Sequence, residues 1–323
     1  MLARMADSHP PHAFAGSFTP TLPELPNEAW TETRRTLHLL CQIVGKLRVA
    51  MYPRQNHWWH VPLYVTPRGL TTGTLYAPND PTLAIEVELD MIHHQVHASS
   101  NRGGQAFAEV PTAVCSENYA AVRDAVASLG VDADLLAKPY EIPWCKTPFA
   151  EDDQPRGYSH EWAARYFRVL SWVDRIFNEY RGDFLGKQTP SHLFWHSFDL
   201  AVTRFSGRPN PRPAREFANP RDAEAYSHEV ISVGFWPGDD NYPHAAFYGY
   251  VAPEPDGLAD EPLPIGAWAD VGGSHMARVD YSDIRAASDP REALLGFLRA
   301  VYAAGAKRAE WPDLMLPPPS AYA

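Results

Sequence analysis

Cysteine is scarce in this chain. There are three in 323 residues, Cys41, Cys115 and Cys145, with no CxxC pair. An odd count without metal-type spacing points to free thiols in a reducing compartment rather than to a disulfide framework. Long apolar runs are missing as well. No stretch approaches the ~18 uninterrupted apolar residues of a membrane-spanning helix. The opening MLARMADSHPPHAFAG lacks the apolar centre of a signal peptide. These absences lead us to expect a soluble, cytoplasmic protein with no membrane partner. Positive charge is in deficit, with 28 Lys and Arg against 39 Asp and Glu and a net charge of −11. Phosphate-backbone binders carry a basic field, so nucleic acid is not expected as a partner, nor is an anionic membrane surface. No GxGxxG opens a helix after a strand, and there is no Walker-type loop, HExxH or GxSxG. Nucleotide-cofactor enzymes, P-loop NTPases and the commonest hydrolases are thereby disfavoured.

Proline, tryptophan and histidine are abundant instead: 31, 10 and 14 residues. That is about twice the usual ~5% of proline, and it rules out a long coiled coil or a helical solenoid. The prolines gather between patterned segments. Residues 1–29 read as an N-terminal arm and 133–159 as a Pro-rich strap. A helix is expected over 30–51, where Leu37, Leu40, Cys41, Val44, Leu47 and Met51 recur at helical spacing. Strands follow over 60–66, 69–76, 83–97 and 105–110. Ser116 then caps a helix that Gly130 stops. Beyond the strap come a helix over 160–184 and strands over 192–205, 228–235, 246–251 and 276–281. The last helix has Asp289 as N-cap, Pro290 behind it and Glu292 three residues after the cap. Residues 309–323 form a tail.

Each half therefore runs helix, antiparallel strands, helix. Trp59-His60 followed by Leu63, Val65 and Gly69 is echoed by Trp195-His196 followed by Leu200, Val202 and Gly207. We expect an α+β fold of two pseudo-repeated helix–antiparallel sheet–helix halves, 30–132 and 160–308, packed as one body.

Four places carry candidate chemistry. Asn56–His60 holds two histidines and two tryptophans at a strand start, and His60 is a candidate acid, base or ligand; hydrogen bonding to nearby backbone accounts for the same residues. His196 and Asp199 fall on opposite faces of a regular strand, and a bulge at Ser197-Phe198 would change that. Glu229 shares a face with Ile231, Val233 and Phe235, so it is either a site carboxylate or the partner of an arginine; His228 sits beside it with the opposite orientation. Glu86, Glu88, Asp90 and His94 share one strand face, which suits either a divalent cation or the wet side of a sheet. Arg204, Arg208, Arg212 and Arg215 either clamp an anion or lie in a solvated loop.

Three longer stretches resemble a known family: Asn56-His57-Trp58-Trp59-His60-Val61-Pro62-Leu63-Tyr64-Val65-Thr66, Phe194-Trp195-His196-Ser197-Phe198-Asp199 with its continuation to Gly207, and Tyr226-Ser227-His228-Glu229 with Gly234-Phe235-Trp236-Pro237-Gly238. They are similar to the bacterial proteins grouped as domain of unknown function 5996, over about 30–302. The resemblance implies a bacterial, single-unit, soluble protein and implies no activity, catalytic residue or cofactor.

We expect a cleft between the halves that takes a small molecule, anionic or aromatic. His60, His196 and His228 are the candidate acid/base or metal-binding residues, with Glu229 or Asp199 as orienting carboxylate. Arg204 would hold a negative charge, and Trp59, Trp195 and Trp236 would form aromatic walls. An enzyme is the first expectation, a non-catalytic binding or sensor protein the second, a scaffold the third. A divalent metal is a subsidiary expectation, and the oligomeric state is left open.

Overall fold

The computed structural model describes residues 22–112 and 114–316. The arm over 1–21 and the end of the tail, 317–323, lie outside the described residues. Helix α1 (Asn27–Met51) is buried along most of its circumference. Its apolar stripe meets the core as the spacing predicts, and Trp30 stacks on Tyr166 with ring centroids 5.1 Å apart. A second line on the same helix is polar: Arg34, His38, Gln42 and Lys46, four residues apart and all buried. Four-residue spacing keeps such a line on one side of a helix.

Strands β1 (Tyr64–Val65), β2 (Gly69–Tyr76), β3 (Ala84–Asp90), β4 (Gln95–Ser100) and β5 (Gln105–Glu109) form an antiparallel meander in that order. Helices α1 and α2 (Cys115–Ser128) pack on one face of it. Ile85, Val87 and Leu89 are buried there, the alternation expected of a half-covered strand. After the strap, helix α3 (His160–Gly182) starts at Ser159, whose hydroxyl accepts from the Trp162 amide. Then come β6 (His192–Phe194), β7 (Asp199–Pro209), α4 (Pro220–Ala225), β8 (His228–Trp236), β9 (Ala246–Ala252), β10 (Ala267–Val271), β11 (Ser274–Asp280), α5 (Tyr281–Ala286) and α6 (Pro290–Arg308). The second sheet has the order β10-β11-β9-β8-β7-β6, all neighbours antiparallel. Helices α3 and α6 cover one of its faces. The fold is α+β with two antiparallel sheets and six α-helices among the described residues. No helix among them is long and apolar enough to cross a membrane.

The sheets meet edge to edge. Leu63 and Leu193 exchange two backbone hydrogen bonds of 2.9 and 2.7 Å, the one bridge between the two sheets among the described residues.

Several elements differ from the expectation. The strand over 83–97 is two strands, β3 and β4, because the Asp90 carboxylate accepts the amides of Ile92 and His93 at 2.9 Å and turns the chain. His94 therefore leaves the acidic face. Glu86 and Glu88 on that face take Thr71, Thr66 and Arg68 as partners. The strand over 192–205 is a hairpin, turned at residues 195–198, with Phe198 at φ 60°. The strand over 60–66 shrinks to β1, because Asn56–Trp58 forms a 3-10 turn with His57 and Trp58 in the left-handed region. Ser116 lies inside α2, with its hydroxyl on Asp153, and is not the cap. The final helix keeps its predicted cap, with Asp289 accepting from the Glu292 amide at 3.1 Å.

Gln42 ties the strap to α1. Its side-chain amide donates to the Tyr140 carbonyl and accepts from the Tyr140 amide, both at 2.8 Å. Gln42→Leu leaves two peptide groups without partners. We expect a loss of about 1–3 kcal/mol, read as a lower urea midpoint at unchanged slope.

Candidate functional site

The second sheet has helices on one face only. Over its other face lies a cavity of about 900 Å³. Its floor is made by the odd-numbered residues of β7 from Asp199 to Phe205 and by even-numbered residues of β8 and β9, among them Ser232, Tyr248 and Tyr250. The opposite wall comes from the first half and the connections: Lys46 and Ala50 of α1, the turn at His57–Trp59, the strap at Tyr140 and Glu141, and Arg221 and Asp222 of α4.

The turn at residues 195–198 is held from α1. The Trp195 indole N–H donates to the Val61 carbonyl at 2.9 Å, and its ring lies across Gly45 so closely that a Cβ there would sit 2.1 Å from the ring. His38 stacks on Phe198 with centroids 4.9 Å apart. Its Nε2 lies 3.0 Å from the His196 carbonyl. A carbonyl only accepts, so that nitrogen carries the proton. Held this way, the turn aims His196, Ser197 and Asp199 into the cavity.

The polar groups of the floor bond to one another. Both Asp199 oxygens are engaged, one by the Ser197 hydroxyl and one by the Tyr248 hydroxyl. Tyr248 lies over Gly234, where a Cβ would be 2.3 Å from its ring. Tyr250 stacks beside Tyr248, and its hydroxyl is 3.1 Å from that of Tyr226. Burial, with the Asp199 charge beside Tyr248 and Tyr226 beside Tyr250, holds both hydroxyls well above the ordinary tyrosine range, so they remain protonated at neutral pH. His196 lies 3.6 Å from the Glu141 carboxylate. Burial lowers its pKa while Asp199 and Glu141 oppose the shift; the net direction is down, and the imidazole is mainly neutral at pH 7.

Of the expected site residues, Trp59, Trp195, His196, Asp199 and Trp236 line this cavity. Four are placed elsewhere. His60 is buried behind the turn, where its Nδ1 accepts the Gln55 amide at 3.3 Å and its ring lies against Trp58. His228 shares the cavity face of β8 but sits beyond the lining, with its ring 5.4 Å from that of His57. Glu229 points to the other face and pairs with Arg208 and Ser206 at 2.7–2.9 Å. Arg204 is an even-numbered residue of β7 and so faces the helices. Its guanidinium is fully buried over the rings of Tyr180, Tyr302 and Phe184, at 3.6, 4.6 and 4.7 Å. It is a core cation and does not reach the cavity. Among the described residues, no three His, Cys, Asp or Glu side chains gather as metal ligands do.

Sequence reasoning missed Lys46, Glu141 and the tyrosines of β9. Two signals carried them. Tyr248 and Tyr250 alternate with Phe247, Gly249 and Val251, which puts the hydroxyls on one face. Lys46 continues the four-residue polar line of α1.

The chain belongs to the family of unknown function DUF5996, whose model matches residues 22–317. No curated protein and no solved structure matches it.

The buried His38 makes the turn sensitive to acid. Burial lowers its pKa to about 4, against an ordinary value of 6.5. The unfolded chain then binds a proton that the folded chain refuses, so this contribution is complete above pH 6.5 and is lost as pH falls towards 4. The full span is on the order of 3 kcal/mol. Urea midpoints measured from pH 8 to pH 4 will fall below pH 6.5, and the fall will be shallower in His38→Gln.

Proposed function

We propose that the protein is an enzyme that takes a small, largely aromatic or apolar molecule into this cavity and moves a proton on it, with His196 as the acid/base group. The observation that carries this reading is the imidazole of His196, 3.6 Å from the Glu141 carboxylate and mainly neutral, at the wall of a cavity with aromatic sides and a hydroxyl-bearing floor. A base for use near pH 7 is best neutral and oriented. Glu141 orients it, and the charges of Asp199 and Glu141 stabilise its protonated form. Trp59, Trp195 and Trp236 supply the flat apolar walls on which a ring stacks. Backbone strain supports the same reading. Six non-glycine residues among those described have positive φ; His57, Trp58 and Glu141 line the cavity, and Phe198 lies in the turn that aims His196. Such strain persists where the surrounding structure over-determines it and gathers at functional sites.

A carrier or sensor is the second reading. It is favoured by the closed bonding of the floor, where Asp199 has given both oxygens to Ser197 and Tyr248. The size of the cavity weighs against a scaffold alone. The first reading also includes a cytoplasmic location, supported by three free, buried thiols. It includes a duplicated origin, supported by the shared order helix, antiparallel sheet, helix. The Trp-His match adds little to that origin: Trp59-His60 precedes edge strand β1, whereas Trp195-His196 turns between β6 and β7.

A thermal-shift screen of small molecules followed by product analysis tests the proposal. We expect stabilising compounds to include one that is converted. His196→Gln should keep its thermal shift and lose turnover by about 10²–10⁴-fold. Ligands that stabilise and are never converted would make the protein a carrier or sensor.

A further inference from the structure

Lys46 ends the polar line of α1, and it differs from the other three members. Arg34 donates to the Gly238 carbonyl, His38 to the His196 carbonyl and Gln42 to the Tyr140 carbonyl. The Lys46 amine has no hydrogen-bonded or ionic partner among the described residues. The side chain is only 5% exposed, and it lines the cavity. Its nitrogen stands 5.4 Å from the Trp195 ring centroid and 5.9 Å from that of Phe149. An ammonium drawn partly out of water and given no counter-ion is disfavoured. Two aromatic faces return part of that as cation–π attraction. The balance raises the share of neutral, nucleophilic amine above that of a lysine in water. Burial lowers the Lys46 pKa to about 8.

The chain has five lysines: Lys46, Lys138, Lys146, Lys187 and Lys307. The other four are exposed. Lys307 pairs with Glu261, and Lys146 donates to the Ile142 carbonyl. Lys46 is thus the one buried lysine among the five, and it stands at the cavity.

We propose that Lys46 is a covalent anchor for an aldehyde or ketone that carries an aromatic or apolar body. This rests on the reading of the cavity as a small-molecule site and names the substrate class. The amine lone pair attacks the carbonyl carbon, a C–N bond forms, and the carbonyl oxygen takes a proton to give a carbinolamine. Loss of water, carrying that oxygen and both amine protons, leaves the imine; no oxidant or reductant is needed. The remainder of such a ligand fits the walls. Trp195 lies beside the amine, and Val49, Leu136 and Val271 expose apolar surface at the cavity lining, 45%, 69% and 50% exposed. An imine also gives His196 a task, because protonated imines acidify the adjacent C–H bonds.

Reductive trapping decides it. The full chain is treated with cinnamaldehyde and sodium borohydride, and the adduct is located by peptide mass spectrometry. Cinnamyl alcohol and cinnamate, which cannot form an imine, are tested by thermal shift in parallel. We expect the reduced adduct on Lys46 to form at least about tenfold faster at pH 7.5 than on any other lysine, with a labelling midpoint near pH 8 rather than the ordinary ~10.4. Lys46→Arg and Lys46→Met should abolish it and keep the shift with cinnamyl alcohol. Labelling spread evenly over the lysines, or absent while cinnamyl alcohol still stabilises the protein, would overturn the anchor and leave the cavity reading standing. Stabilisation by cinnamate that needs Lys46, without trapping of the aldehyde, would make the residue an ion-pair partner and equally overturn the anchor. No shift with any of the three compounds would remove both proposals.

Discussion

Helix α1 lies buried at the junction of the two halves and carries a row of polar side chains, and that constraint organises the rest. A buried donor must find an acceptor. Most carbonyls of sheet interiors are already taken, so the acceptors available to α1 lie in turns, loops and the irregularity of β2 at Thr71–Thr74. Arg34 holds the loop after β8 at Gly238, His38 the turn between β6 and β7, and Gln42 the strap at Tyr140. Arg48 donates to the carbonyls of His60 and Thr72 and so fixes the entry to the first sheet. Each bond contributes little by itself, about 1 kcal/mol net. Their placement matters more. Three of the tethered segments form the cavity wall or adjoin it, so the helix that joins the halves also shapes the pocket between them.

The joint explains why the cavity exists. A sheet with helices on one face must cover, solvate or use the other. The first sheet lines much of its free face with polar side chains that bond to one another, Glu86 and Glu88 with Thr66, Arg68 and Thr71. The second places aromatic and hydroxyl side chains there and leaves space above them. The two sheets touch through one residue pair, Leu63 and Leu193, so they do not stack. What lies over the second sheet is therefore irregular: a strained turn, a proline-rich strap and the short helix α4. Such segments leave volume that a packed helix would fill.

Much of the fold was legible because it depends on period. The helical stripes of α1, α3 and α6 and the alternation in β3 and β8 stand in the sequence, as does the Asp289 cap. The failures share a cause. At 91–94 and 195–198 the chain reverses within four residues, without an Asn-Gly or Gly-rich signal. Asp90 makes the first turn by accepting amides, and Phe198 makes the second in a left-handed conformation that non-glycine residues seldom adopt. Neither cause has a period. The tract over 83–97 therefore read as one long strand, and so did that over 192–205.

The same limit decided which site residues were legible. Face assignments beyond the turn held: Asp199, Ala201 and Thr203 share one side of β7 and line the cavity. Their consequence for Arg204 follows from parity alone. An even-numbered residue on β7 faces the helices, and a cation there must be caged by Tyr180, Phe184 and Tyr302 rather than offered to a ligand. The cavity wall has cations from elsewhere: Arg221 of α4, Arg278 of β11 and Lys46 of α1. Lys46 was overlooked because α1 was read for its apolar stripe, and a lysine within a helix is ordinarily assigned to solvent. The helix is instead enclosed on nearly all sides, which turns each polar residue into a structural tether or a site. Arg34, His38, Gln42 and Arg48 meet protein carbonyls and are tethers. Lys46 meets none, and what faces it is the cavity.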